Sequence, residues 1–174
     1  IKVITGIRRS GKSVLLQEFI TYLKSLNEQI NIVMINLQEL EFDYLLEYHA
    51  LHKYIMGQYK EEMTNVLLID EVQMCPQFEL AINSIYAKGI YDIYITGSNS
   101  NLLSSELSTL LTGRYVAFRL YPLSYREMIV FQTTLGNQLD TTKLLWHFIR
   151  RGGFPAVHIA EYDETTCYRI INDI

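Results

Sequence analysis

Gly6-Ile7-Arg8-Arg9-Ser10-Gly11-Lys12-Ser13 stands directly behind the short apolar run Ile1, Val3, Ile4 and fits the pattern G-x-x-x-x-G-K-[ST] at every position. A triphosphate is best held by backbone N–H groups converging on a concavity, and glycine lets the chain curl tightly enough to form one. Gly6 and Gly11 are expected to supply that freedom. The pattern predicts a nucleotide site lined by Gly6, Ile7, Arg8, Arg9, Ser10, Gly11, Lys12, Ser13 and Val14. In it Lys12 reaches the β- and γ-phosphates as a point charge, and the Ser13 hydroxyl ligates Mg²⁺. The helix opening at Lys12 aims its positive end at the phosphates. A Gly-Ser turn beside a solvated lysine is the competing reading. It does not account for the strand before the loop or for the helical stripe Leu15, Leu16, Phe19, Ile20, Leu23, Leu26 after it.

Working outward, short apolar runs predict strands over 1–5, 30–37, 66–69, 91–96 and 116–120. Helical periodicity fills the gaps: from Lys12 to about 27, over 45–63, over 78–87 after Pro76, and over 102–111. Strands alternating with helices mean an α/β fold with a mainly parallel five-stranded sheet flanked by helices. After Pro122 the texture becomes helical, over 124–134 and 140–151. Gly152-Gly153-Phe154-Pro155 then interrupts it, and a last helix starts at about 161. The expected organisation is a core over 1–122 followed by a small helical segment over 123–174. Because the first residue lies in a strand pattern and the last in a helical one, the chain is expected to be part of something longer.

A second constellation follows the third strand. Val66-Leu67-Leu68-Ile69 ends in Asp70 and Glu71. Phosphoryl transfer needs a divalent ion to neutralise charge on the β- and γ-oxygens, so Asp70 is the expected Mg²⁺ residue. Glu71 then polarises the attacking water, as general base or orienting acceptor. Capping of the following turn is the bland alternative for this pair. The strand Ile93-Tyr94-Ile95-Thr96 runs into Gly97-Ser98-Asn99-Ser100 at the end of a core strand where α/β folds place ligands. Either Ser98 or Asn99 bonds the water or the γ-phosphate, or caps the helix that follows. Gly113-Arg114 offers an arginine to stabilise transferring charge, from this chain or a neighbour. Arg119 competes for that role from inside a strand pattern.

Together, the phosphate loop, Asp70-Glu71-Val72-Gln73, Thr96-Gly97-Ser98-Asn99, Leu111-Thr112-Gly113-Arg114 and Pro122-Leu123-Ser124-Tyr125-Arg126-Glu127 resemble one AAA+ group. It comprises bacterial and archaeal P-loop ATPases that pair an ATPase core with a C-terminal domain of unknown function. The resemblance covers nearly the whole chain and only the core of such proteins. It implies a P-loop NTPase fold followed by a helical lid or winged-helix-like segment beginning near Gly152 to Pro155. By resemblance Lys12 and Ser13 match Walker A, Asp70 and Glu71 match Walker B, Ser98 or Asn99 falls at sensor 1, and Arg114 is the candidate arginine finger. Arg150, Arg151 and Arg169 are unanchored candidates for sensor 2.

The chain has 174 residues, 49% hydrophobic and 20% charged, which suits one soluble α/β domain with a small appendage. A net charge of −4 argues against a broad nucleic-acid footprint. Two cysteines, no signal peptide and no apolar run near ~18 residues point to a cytoplasmic protein outside the membrane. The base-reading motif N-K-x-D of GTPases is absent, which favours ATP. Helicases need tandem nucleotide domains that this length cannot hold. His49 and His52, at i, i+3, are read as helix-face packing rather than metal ligands, Cys75 as structural, and the 13 tyrosines as half-buried packing rather than base-stacking groups. The function expected is Mg²⁺-dependent ATP hydrolysis driving a conformational change in a partner or a missing domain, with a homo-oligomer or a protein as the expected partner. A switch that binds ATP with little turnover is the alternative.

Overall fold

The most continuous apolar stretch forms the strand at the centre of the fold. From Asn65 to Asp70 every residue is buried, as in a strand covered on both faces. Val66 and Leu68 pack with Ile4, Leu16 and Ile20 on one face. Leu67 and Ile69 pack with Leu51, Ile55 and Ile82 on the other, following the two-residue period of a strand.

The computed structural model describes residues 1–26, 29–98, 111, 113–137, 140–159 and 163–172. Through them run β1 (Lys2–Thr5), α1 (Lys12–Leu26), β2 (Ile30–Asn36), a 3-10 turn at Leu40–Leu45 and α2 (Tyr48–Gly57). Next come β3 (Thr64–Asp70), a 3-10 turn at Val72–Met74, α3 (Phe78–Lys88), β4 (Asp92–Gly97) and β5 (Val116–Arg119). The helices α4 (Tyr125–Thr134), α5 (Thr141–Arg151), α6 (Ala156–Ile159) and α7 (Glu164–Asn172) complete the order.

Residues Ile1–Gly6 and Lys12–Arg119 make one unit. Its sheet has five strands in the order β2-β3-β4-β1-β5, and every pairing is parallel, as the alternation of strands and helices requires. β4 lies between β1 and β3, so the segments leaving these three strands start side by side at one edge of the sheet. α1 buries Lys12, Leu16 and Ile20, one residue every four along a single face. β5 is the outer strand, and all four of its residues are exposed.

The helix expected over 45–63 is shorter than its apolar pattern. Glu47 accepts from the backbone N–H groups of His49 and Ala50, which fixes the start at Tyr48 and leaves Leu45 in a separate 3-10 turn. Past Gly57 the chain reverses around Asn65, which accepts from Lys60 N and donates to the carbonyls of Lys60 and Met63. Leu45 and Tyr59 still join the core from outside the helix. The expectation of a helix over 102–111 lies outside the described residues except for Leu111, which is buried.

Residues Ile7–Gly11 and Leu120–Ile174 make the other unit. Ser124 and Glu127 form a reciprocal capping box at the start of α4, and Asp140 caps α5. The Gly-Gly-Phe-Pro turn has a packing reason. A Cβ on Gly153 would lie 1.9 Å from the Leu123 carbonyl oxygen, while Leu123 N donates to Gly153 O at 2.8 Å. Only glycine allows two backbones that close. The final helix, expected from about 161, is α7 over Glu164–Asn172, and the short α6 before it was not expected. Asp163 starts α7 by accepting from Thr166 N at 2.7 Å.

Candidate nucleotide site

Asp70 ends β3 and Thr96 sits one residue before the end of β4, and the parallel register of the two strands brings them level. Both are buried, at 1% and 0% exposure. The Thr96 hydroxyl donates to Asp70 Oδ1 and accepts from Glu71 N at 3.1 Å. One buried hydroxyl therefore ties together Asp70, at the end of β3, and Glu71, just past it. Thr96 was not singled out from sequence. The available signal was a hydroxyl inside a strand of apolar residues, which must find partners once buried.

On the far side of β4, Gly6 follows β1 and Lys12 opens α1. Lys12 is 4% exposed. Its ammonium donates to Gly6 O at 3.0 Å and lies 3.6 Å from Glu71 Oε1. A buried ammonium must be paired and hydrogen-bonded, and here the pairing group is the expected general base. Glu71 has φ 53 and ψ 49, a left-handed conformation that costs a non-glycine residue about 1–2 kcal/mol. Three bonds hold it there: its N–H to Thr96, its carbonyl accepting from Met74 N at 3.0 Å, and its Oε2 accepting from Gln73 Nε2. Strain kept by several partners is characteristic of functional positions.

The loop residues Ile7–Gly11 carry their own geometry. Arg9 has φ 62 and Gly11 φ 98, so the left-handed turns fall on an arginine as well as a glycine. Ser10 N donates to Ile7 O at 3.3 Å, closing a tight turn. Ile7, Arg8 and Arg9 are exposed and Ser10 is buried, with an Oγ that has no partner in the protein. Arg9 Nη1 donates to Ile170 O at 2.5 Å, meeting the negative end of α7.

Lys12, Asp70 and Glu71 are thus brought together, with Gly6 supplying a carbonyl. Ser13 and Val14 are exposed in the first turn of α1, and Ser98 is half-buried just past β4. Asn99 lies outside the described residues. Arg114 is not part of this cluster. Its carbonyl accepts from the Ile1 amino group at 3.1 Å, which sets it at the amino edge of the sheet, roughly 15 Å of strand from Gly6 at about 3.3 Å per residue. Its guanidinium donates to Asn83 Oδ1 at 3.2 Å. Arg119, by contrast, pairs in register with Thr5 at the phosphate-loop edge.

The remaining candidates settle into packing. Burial pushes the Cys75 thiol up to about 11, with Glu47 and Glu79 adding to the effect, which makes it a poor nucleophile. His52 Nε2 shares a hydrogen bond with Ser84 Oγ at 3.0 Å, and His49 lies against Tyr48 with ring centroids 4.0 Å apart. Among the described residues no three His, Cys, Asp or Glu side chains converge as a metal site. Tyr59 meets Tyr91 edge-on at 6.0 Å, and Tyr91 donates to Ile55 O at 2.9 Å.

A buried carboxylate at Asp70 and a hydroxyl at Ser13 are the hard oxygen donors that Mg²⁺ takes alongside phosphate oxygens and water, so these residues fit the ion. A parallel sheet of this order, with a glycine-rich loop leaving β1 and paired carboxylates ending β3, defines a P-loop nucleotide-binding domain of the AAA+ kind. Residues 1–129 match the family described as AAA domain, and the chain belongs to that family.

An uncharacterized protein of Haemophilus influenzae is 37% identical over 163 residues, covering 92% of this chain and 41% of that protein. The uncharacterized protein MJ1544 of Methanocaldococcus jannaschii is 30% identical over 181 residues, covering 99% of this chain and 39% of that protein. The chain therefore spans about two-fifths of the length of these relatives. Among solved structures, Rhizobiales Trip13 superposes with a TM-score of 0.58 at 16% identity, over 87% of this chain and 57% of that one. The Aeropyrum pernix ORC1 protein, solved in complex with DNA, gives 0.52 at 11% identity, over 78% and 43%.

Proposed function

We propose that the chain binds ATP with Mg²⁺ and hydrolyses it. The observation that carries this reading is the cluster of buried Lys12 and Asp70 with partly buried Glu71, held by Thr96 at the carboxyl ends of β1, β3 and β4. Lys12 reaches the β- and γ-phosphates, the backbone of Gly6 to Gly11 cradles them, and Ser13 with Asp70 holds the ion. Bound Mg²⁺ would neutralise charge on the β- and γ-oxygens. Glu71 orients water in line with the γ-phosphorus and takes its proton. Ser98 or Asn99 supplies a further polar contact.

We assign 1–122 as the ATPase core and 123–174 as a helical lid or the start of a further subdomain, following the family resemblance. Arg114, at the opposite sheet edge from its own phosphate loop, acts on the site of a neighbouring subunit in a homo-oligomer. Turnover then drives a conformational change in a partner or an attached domain. The net charge of −4 does not support DNA as that partner, although the ORC1 protein of like fold was solved with DNA. A cytoplasmic location rests on the low cysteine content of the chain, two in 174 residues. No described helix is long and apolar enough to cross a membrane.

The test is calorimetric titration with ATP and Mg²⁺ beside steady-state phosphate release. Lys12→Ala is expected to abolish binding, while Glu71→Gln binds but releases phosphate only at a small residual rate. Binding without wild-type turnover at any protein concentration would overturn hydrolysis. It would favour the second reading, a nucleotide-dependent switch, which the engagement of Glu71 by both Lys12 and Gln73 supports.

A further inference from the structure

Gln73 lies two residues past Glu71, inside the 3-10 turn Val72–Met74. The left-handed backbone at Glu71 and the tight turn after it fold the two side chains back together, and Gln73 Nε2 donates to Glu71 Oε2. The orientation of the carboxamide follows from chemistry alone. An ionised carboxylate only accepts, so it must face the amide nitrogen. The group left over is the acceptor, Gln73 Oε1, which is buried and has no partner within the protein. Folded chains rarely leave such an oxygen orphaned, and the smallest group able to satisfy it is a water.

Oε1 and Nε2 belong to one amide, so Oε1 lies within about 5 Å of the Glu71 carboxylate, a span that a single water bridges with two ordinary hydrogen bonds. A water between two acceptors donates both of its hydrogens to them. Its lone pairs then face away from both, which is the orientation a nucleophile needs. The other oxygen of the same carboxylate, Oε1 of Glu71, faces Lys12 at 3.6 Å, the residue assigned to the phosphates.

We infer that Gln73 shares the attacking water with Glu71: the carboxamide nitrogen fixes the carboxylate and the carboxamide oxygen takes the second hydrogen bond of the water. This rests on the hydrolytic reading above. In the step itself the water oxygen bonds to the γ-phosphorus and the bond from that phosphorus to the β–γ bridging oxygen breaks, with its electrons leaving on ADP. One water proton passes to Glu71. Gln73 neither gains nor loses a proton.

The experiment uses the full chain with Gln73→Leu and the unbranched Gln73→Met, so that a folding defect in one shape does not decide the outcome. Both variants are expected to lower kcat about 100-fold with the KM for ATP unchanged, since the phosphates are held by the loop and Lys12. Calorimetry supplies a readout apart from turnover. A non-hydrolysable ATP analogue is expected to bind both variants as it binds wild type, while ADP–fluoroaluminate, which mimics the transferring phosphoryl group, binds about 100-fold more weakly. Glu71→Gln combined with Gln73→Leu is expected to be no slower than Glu71→Gln alone, because both act on one water.

Wild-type kcat in the Gln73 variants overturns the proposal while leaving ATP hydrolysis standing. So does a parallel loss of ground-state analogue affinity, or additive losses in the double variant; each would mark Gln73 as a structural brace for the turn. Absence of phosphate release from wild type despite ATP binding overturns the hydrolytic reading and the Gln73 role with it.

Discussion

Thr96→Val removes one oxygen and keeps the shape of the side chain, so it isolates what the hydroxyl does. Two bonds disappear together: the one given to Asp70 Oδ1 and the one taken from Glu71 N at 3.1 Å. Losing a hydrogen bond to a charged acceptor costs about 1.5–3 kcal/mol, and stranding a buried amide N–H costs about 1–3. Taking the lower ends, because the chain relaxes and valine gains apolar contact, leaves on the order of 3 kcal/mol. For a domain of this size each kcal/mol moves Tm by about 2–4 °C, so a drop of roughly 6–12 °C is expected. Thr96→Ser keeps the hydroxyl and loses a methyl, worth about 1 kcal/mol. Thermal and urea unfolding of the two variants, followed by circular dichroism, make the comparison. If valine costs no more than serine, the hydroxyl is not the pin that joins the two acidic residues, and the account of the site fails at its base.

Gly153→Ala forces a Cβ to within 1.9 Å of the Leu123 carbonyl; a stability loss on the order of 3 kcal/mol is expected in urea unfolding, and an unchanged midpoint would refute the close approach. His158 donates from Nε2 to Gly152 O at 2.8 Å, and burial, with Arg151 and His147 nearby, holds its pKa below the usual 6.5. A depressed histidine binds its proton more readily when unfolded, so its contribution to stability is present above pH 6.5 and declines as pH falls from there through the folded value. His158→Gln should flatten the difference in urea midpoint between pH 7.5 and 5.5, and an unaltered difference would assign that dependence to other groups. Arg114→Ala should keep ATP affinity yet lose any rise of phosphate release with protein concentration; a rise that survives the substitution removes Arg114 from the neighbour's site.

The phosphate loop and the Asp70-Glu71 pair were legible because each is a contiguous string whose chemistry follows from its own spacing. The parallel sheet was legible because β3 is buried on both faces and so reads as an unbroken apolar run, and because strand and helix patterns alternate along the chain. Thr96 was not, because its role exists only once β4 lies between β1 and β3, and strand order is not a local property of any segment. The position of Arg114 could have been drawn from sequence: a residue just before a strand of an all-parallel sheet lies at the amino edge, opposite the phosphate loop. The overlong helix at 45–63 shows the reverse error. Leu45 and Tyr59 kept the apolar period, but Glu47 capped the backbone inside it, and a cap overrides periodicity because it satisfies N–H groups that a continued helix would use otherwise.

The pairing of Lys12 with Glu71 has an energetic consequence under the proposed reading. Without nucleotide the ammonium is paired with the very carboxylate that must later act on water, so the base is engaged. An arriving triphosphate competes for Lys12 with a higher charge and more acceptor oxygens, and it pulls the ammonium toward the β- and γ-phosphates. Asp70, buried, and Glu71, partly buried, are then two carboxylates facing added negative charge, a state that is penalised unless a cation joins them. Nucleotide and divalent ion should therefore bind with strong mutual dependence, each weak without the other. The release of Glu71 from Lys12 is a discrete local change that couples arrival of the phosphates to readiness of the base, and Gln73 and Thr96 keep Glu71 in place while its counter-charge leaves.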